Sequence, residues 1–295
     1  MGYVYSAGER ATVSALQASV SSGRARLEAL FPILAVVRWR VAFWQFLIRA
    51  IARRYRASAL GMLWTLIVPL FTLGVYTFVF GVVMQTRWGS GAASAGTAGY
   101  SLQLFAGLTI FWLMADVLVE APTAIVQHAN LVKKAVFPLE IIPITVVGSA
   151  LFQTLINTGI LIVATLFVVG HVPLTALLYP LILLPFILLL CGLAWFLSAL
   201  GVYVRDVTHG IGLLMTVLLF ISPVFYSSDR VSPVFKPFLF LNPITFIVIQ
   251  SRRVLLDDAL PSWQGLAIYF VIACAVTAFG YFVFRKARRN FADVV

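Results

Sequence analysis

Six stretches of the chain carry apolar residues almost without interruption: residues 61–84, 102–124, 141–169, 175–202, 210–225 and 263–284. Crossing about 30 Å of hydrocarbon takes roughly 20 mostly apolar residues in an α-helix, so each stretch is read as a membrane span, the fifth being the shortest. A seventh apolar stretch, 231–249, contains Pro233, Pro237 and Pro243 together with Lys236 and Asn242. Proline removes a backbone donor and breaks a helix interior, and unsatisfied backbone is not tolerated facing lipid. A re-entrant or interfacial pair of short helices is therefore predicted there, between the fifth and sixth spans. The pattern describes an all-α integral membrane protein with a six-span domain over residues 61–284.

Ahead of the first span, residues 43–56 alternate at helical period. Phe43, Phe46, Leu47, Ala50 and Ile51 fall on one side, and Gln45, Arg49, Arg53 and Arg56 gather on the other, with Arg54 off the pattern. This predicts an amphipathic interface helix within residues 38–60, its apolar face in the acyl region and its arginines among lipid phosphates. Such a helix serves either as an anchor to anionic lipid or as a lever open to a cytoplasmic partner. Residues 1–37 form an N-terminal extension with little signal. Glu9, Arg10, Arg24, Arg26 and Glu28 interrupt any apolar core there, so no secretory signal peptide is expected.

Composition agrees with a membrane protein. Hydrophobic residues make up 62% of the chain and charged ones 11%, against roughly a quarter charged in soluble domains. The net charge of +11 would suit nucleic acid, but the basic residues cluster at span ends rather than along one polar face. With six spans, both termini share a side that collects the arginines from Arg10 to Arg56, Lys133, Lys134, Arg205 and the basic tail at 285–295; Arg87, Arg230, Lys236, Arg252 and Arg253 fall on the other. The positive-inside bias then puts both termini in the cytoplasm. A seventh span would export the tail, so six is preferred. Cys191 and Cys274 sit singly in apolar runs and read as packing residues.

Asp116 and Glu120 stand four apart in the second span and share a helical face. Ionisable groups at membrane depth are costly and face a bundle interior or water. Two readings stay open: a proton relay, which would make the chain a secondary transporter, or acids near the cytoplasmic end, wetted or paired with Arg205 or Lys133. Among the many aromatics, Tyr76, Trp112, Phe220, Phe225 and Tyr226 are candidates to line a channel, where flat apolar faces suit the C–H faces of sugars; lipid contact is the default. The chain carries no G-x-x-x-x-G-K-[ST] phosphate loop. His128, His171 and His209 are scattered over different connections, and no metal or hydrolytic constellation is visible. A non-catalytic chain without a cofactor of its own is expected, its energy supplied from elsewhere. A membrane-embedded glycosyltransferase is disfavoured because no loop carries a paired-carboxylate metal site.

Specific strings add to this reading. The run from Arg53-Arg54-Tyr55-Arg56 through Leu60-Gly61-Met62-Leu63-Trp64 to Pro69 and Tyr76-Thr77-Phe78-Val79-Phe80-Gly81 resembles the approach to the first span in one family. That family is the membrane subunit of ABC-type polysaccharide and polyol-phosphate exporters, which export O-antigen, capsular polysaccharide or teichoic acid. Further matches follow in the family's order: Asn130-Leu131-Val132-Lys133-Lys134, Phe137-Pro138-Leu139-Glu140, Arg205-Asp206-Val207, Ser222-Pro223-Val224-Phe225-Tyr226, Leu241-Asn242-Pro243 and Arg252. The chain departs from the pattern at Arg49-Ala50-Ile51-Ala52, where the family often has an acid, and at Val68-Pro69, where it often has Asn.

The resemblance implies a homodimer in the bacterial inner membrane, with a channel between the subunits for a lipid-linked polysaccharide, O-antigen favoured. Each subunit would bind one cytoplasmic ATPase subunit, which holds ATP and Mg. The turn at 127–137 would dock on that ATPase as a coupling helix, with Asn130, Leu131, Lys133, Lys134, Phe137 and Pro138 as the contact set. The arginines Arg49, Arg53, Arg54 and Arg56 would provide a second contact, and 231–249 would shape the outer exit. Without the resemblance, the turn at 127–137 reads as a plain positive-inside loop.

Overall fold

The computed structural model describes residues 39–55, 60–84, 96–132, 138–227 and 231–294, and among these every regular element is helical. Helix α1 (Arg40–Tyr55) comes first. A 3-10 turn (Gly61–Leu63) then leads into α2 (Trp64–Tyr76), which continues as a π-helical stretch (Thr77–Val83). Next come α3 (Gly96–Ala124), the short α4 (Ala129–Val132) and α5 (Ile141–Val169). Another 3-10 turn (Leu174–Leu178) opens α6 (Tyr179–Tyr203), followed by α7 (Val207–Ile221), α8 (Lys236–Leu241), α9 (Pro243–Leu255), α10 (Trp263–Arg288) and α11 (Phe291–Val294).

Among the described residues, five helical stretches are long and apolar enough to cross a membrane: Gly61–Phe80, Ala98–Ala124, Ile141–Val169, Leu174–Tyr203 and Trp263–Arg288. The fifth expected stretch, 210–225, is helical only to Ile221. Helix α7 has 15 residues, about 22 Å at the helical rise, less than a hydrocarbon core. It stops where it does because a proline ring disfavours the helical region in the residue before it; Ser222, ahead of Pro223, is extended at φ −72°, ψ 147°.

The proline-rich stretch is two helices that break at Asn242, which is extended (φ −74°, ψ 120°) and accepts a hydrogen bond from Ile244 N at 3.1 Å. Pro237 and Pro243 both lie in first turns, where a missing N–H costs nothing. Helix α9 runs six residues past the expected boundary at 249, to Leu255.

Helix α3 forms the centre of the bundle, with α5 and α6 against it and α10 along α6. Lipid provides no hydrophobic drive between helices, so close backbone approach and interhelical hydrogen bonds must hold them. Both occur here. A Cβ on Gly280 would lie 2.0 Å from the Gly192 carbonyl oxygen, and one on Gly192 would lie 2.6 Å from Thr277 Cα. Beside this crossing Thr277 Oγ1 donates to Leu188 O at 2.6 Å, and between α6 and α3 Ser198 Oγ donates to Ala121 O at 2.8 Å. By contrast, α2 and α7 leave large apolar side chains exposed, among them Phe71, Leu70, Leu213 and Phe220.

Candidate functional site

Helix α1 folds back over the C-terminal half of α3 and the start of α5. Leu47 is buried, and its Cδ1 would stand 2.9 Å from a Cβ on Gly148 of α5, with the Phe43 ring at 3.5 Å. The face expected to enter the acyl region therefore turns onto the protein. A different stripe, Val41, Trp44 and Ile48, is exposed together with Trp39. Periodicity finds apolar positions but does not distinguish a protein neighbour from lipid, because both are apolar.

Across this junction Arg54 Nη2 donates to Asp116 Oδ2 at 2.7 Å, and Arg53 Nη2 lies 3.7 Å from Glu120 Oε1. Among the described residues the acids meet α1 and not the expected Arg205, an arrangement set by the fold-back of α1. A cavity of about 380 Å³ is lined by these four side chains with Ala50 and Ser149. A neighbouring cavity of about 310 Å³ shares Ala50, Arg53 and Glu120 and continues past Phe46 and Arg49 to Gln127, His128 and Leu131. Arg49 lies over the Phe46 ring at 5.9 Å, and that ring meets His128 at 6.1 Å. One groove thus joins α1 to the turn that follows α3. Of the turn residues singled out from the sequence, Asn130 is exposed and Leu131 and Pro138 are half-buried. Lys133, Lys134, Phe137 and Arg56 lie outside the described residues.

At the opposite end of the bundle, Tyr76, Phe220 and Phe225 come together. Phe225 stands 6.2 Å from Tyr76, 5.9 Å from Phe220 and 5.7 Å from Phe80. Buried Tyr100 completes the group, 6.0 Å from Phe80, and its hydroxyl donates to Phe225 O at 2.8 Å. Sequence reading missed Tyr100 because it lies two residues before the predicted start of the second span. Trp112 is separate, edge-on to Phe105 at 6.0 Å, and the Tyr226 hydroxyl donates to Ile221 O at 2.6 Å.

Buried Arg252 of α9 holds this end. Its Nε donates to Gln103 O (2.8 Å), one Nη to Pro223 O (2.6 Å) and the other to Val224 O (2.7 Å). Nearby, Asn242 Nδ2 donates to Ser222 Oγ at 2.8 Å. Burial pulls the guanidinium pKa down to about 9 against the raising effect of Asp257, so the group keeps its charge at neutral pH. The strings Ser222–Tyr226, Asn242 and Arg252, separate in sequence, form one knot. Among the described residues no group of His, Cys, Asp and Glu could hold a metal ion.

Residues 41–256 match the ABC-2 type transporter family. Two O-antigen export system permease proteins of Klebsiella pneumoniae are each 25% identical to the chain over 244 residues, covering 82% of it and 90% of the relative. An O-antigen export system permease protein of Myxococcus xanthus is 24% identical over 250 residues, 84% of the chain and 92% of the relative. The family match opens in the first turn of α1, closes just past α9 and takes in both ends of the bundle just described: the chain belongs to the ABC-2 type transporter family of membrane proteins.

Proposed function

We propose that this chain is the membrane subunit of an ATP-driven exporter that passes a lipid-linked polysaccharide, O-antigen in the first instance, from cytoplasm to periplasm. The observation that carries the reading is the likeness to permeases named for O-antigen export over about nine-tenths of their length. Capsular polysaccharide or teichoic acid would travel by the same route.

In this reading α7 and the residues to Phe225 make the fifth of six spans. Helices α8 and α9 enter from the periplasmic side without crossing, and both termini are cytoplasmic, as the clustering of basic residues favours. A second copy packs on the exposed apolar faces of α2 and α7. Tyr76, Phe220, Phe225, Trp112 and Tyr226 then offer sugar-facing rings along the channel. Two ATPase subunits, holding ATP and Mg, dock on the turn at 127–137 through Asn130, Leu131, Lys133, Lys134, Phe137 and Pro138. Helix α1 provides the second contact; the shared groove supports this, since one partner surface can reach both. ATP binding closes the dimer and hydrolysis resets it. The pairing of Asp116 and Glu120 with arginines weighs against a proton relay.

Deleting the chain tests the reading. Loss of surface polysaccharide with lipid-linked polymer accumulating inside is expected, along with co-purification of a P-loop ATPase with the tagged chain. Unchanged surface polymer, or purification without any ATPase, would remove it.

A further inference from the structure

The C-terminal segment reads from sequence only as a basic tail, yet it is built into the bundle. Phe291 of α11 and Phe284 of α10 are both fully buried and meet edge to face at 5.5 Å. Tyr203, at the end of α6, packs on Phe291 at 6.3 Å, and its hydroxyl donates to Ala287 O at 3.1 Å. A freely solvated tail needs none of these contacts.

The cluster that holds Phe284 and Phe291 also holds the two flanks of the turn at 127–137. Ile125 comes from its approach, Val132 from the turn itself, and Leu139 and Ile142 from its exit. Glu140 lies on the exit side and is 7% exposed. Its carboxylate takes a hydrogen bond from Arg288 Nη1, and its backbone carbonyl takes one from Trp195 Nε1 at 3.0 Å. Trp195 in turn meets Tyr281 of α10 at 5.0 Å. Residues 139 and 140 are therefore tied to the end of α10 by the Glu140 side chain and by packing, and to α6 through the Glu140 carbonyl. This pair is also more enclosed than Arg53–Glu120: the Glu140 side chain is 10% exposed and that of Glu120 35%. Enclosure makes such a pair matter more, because water no longer replaces the lost partner.

We infer that Arg288 and Phe291 are positioning residues that clamp the base of the turn at 127–137, so that a push on the turn moves α3 and α5 instead of being absorbed locally. The inference rests on the proposed docking of the ATPase at that turn.

The test uses the full chain with its partner ATPase in inside-out vesicles. Residue 135 carries the sole cysteine (Ala135→Cys, with Cys191 and Cys274 replaced by Ala), labelled by a membrane-impermeant maleimide. In Arg288→Glu and Phe291→Ala, ATP hydrolysis and ATPase retention persist and labelling at 135 speeds up several-fold. Export falls about tenfold, the scale of mutations along a coupling route. Adding Glu140→Arg to Arg288→Glu restores both readouts to within about twofold, as a double-mutant cycle requires of a direct pair. Should Arg288→Glu fail to accumulate, Arg288→Gln is measured in its place. Unchanged labelling and export in the single variants, or no recovery in the charge-exchanged double variant, would overturn the clamp. Faster labelling with export unchanged overturns the coupling role and leaves only a structural tether. The docking reading fails separately, if Lys133→Glu with Lys134→Glu leaves ATPase retention untouched.

Discussion

Arg54 Nη2 and Asp116 Oδ2 meet at 2.7 Å across 62 residues of sequence, joining α1 to the middle of the bundle. With Arg53 beside Glu120, both acids of the second span have arginine partners at the groove. Their role is then to seat α1, and a carboxylate seating a helix need not change protonation during transport. Asp116→Asn with Glu120→Gln is expected to keep export within about twofold, because partly exposed pairs contribute roughly 0–1 kcal/mol. Export by vesicles is the measurement. Abolished export with normal ATPase assembly and turnover would revive the proton-coupled carrier.

Arg252 behaves differently, since it is buried and serves three carbonyls. Replacement by Leu orphans the carbonyl oxygens of Gln103, Pro223 and Val224, at about 1–3 kcal/mol for each buried group left unsatisfied. A lower melting temperature in detergent and weak accumulation in the membrane are expected. Lys should recover little, because an ammonium lacks the planar fork of donors. Wild-type stability in Arg252→Lys would show that charge alone is needed.

The crossing of α6 and α10 tolerates no side chain at Gly280, whose Cβ would overlap the Gly192 carbonyl. Gly280→Val should push the helices apart and cost upwards of roughly 1–3 kcal/mol, the usual range for overpacking. Ser198→Ala, which removes one interhelical hydrogen bond, should cost only about 0.6 kcal/mol. Thermal unfolding of the two variants side by side checks the order; equal melting temperatures would contradict it.

If the turn at 127–137 docks the ATPase as proposed, Lys133→Glu with Lys134→Glu should lower the yield of ATPase complex and separate hydrolysis from export. Co-purification and vesicle transport measure the two. If both stay at wild-type level, the lysines do not dock the ATPase.

Much of the architecture was legible before the structure. The stretch at 141–169 matches α5 at both ends, and the break in 231–249 was readable because three prolines and Asn242 cannot continue one helix. The end of α7 is equally present in Ser222-Pro223, but the apolar run that continues to Phe225 hides it. The faces of α1 were not legible. Periodicity puts Phe43, Phe46 and Leu47 on one stripe, yet only the structure shows that Phe43 and Leu47 meet α5 while Val41, Trp44 and Ile48 remain exposed.

The division has a physical reason. In a bilayer each span must satisfy its own backbone, so helix positions are local properties that hydropathy and proline placement determine. The arginine partners Arg54–Asp116 and Arg288–Glu140, and the three carbonyls of Arg252, join residues from 28 to 149 positions apart. No local pattern encodes such pairs. Only the packing of α1, α9 and α10 onto the bundle brings them together, and it is that packing which turns a set of apolar helices into a molecule with two distinct ends.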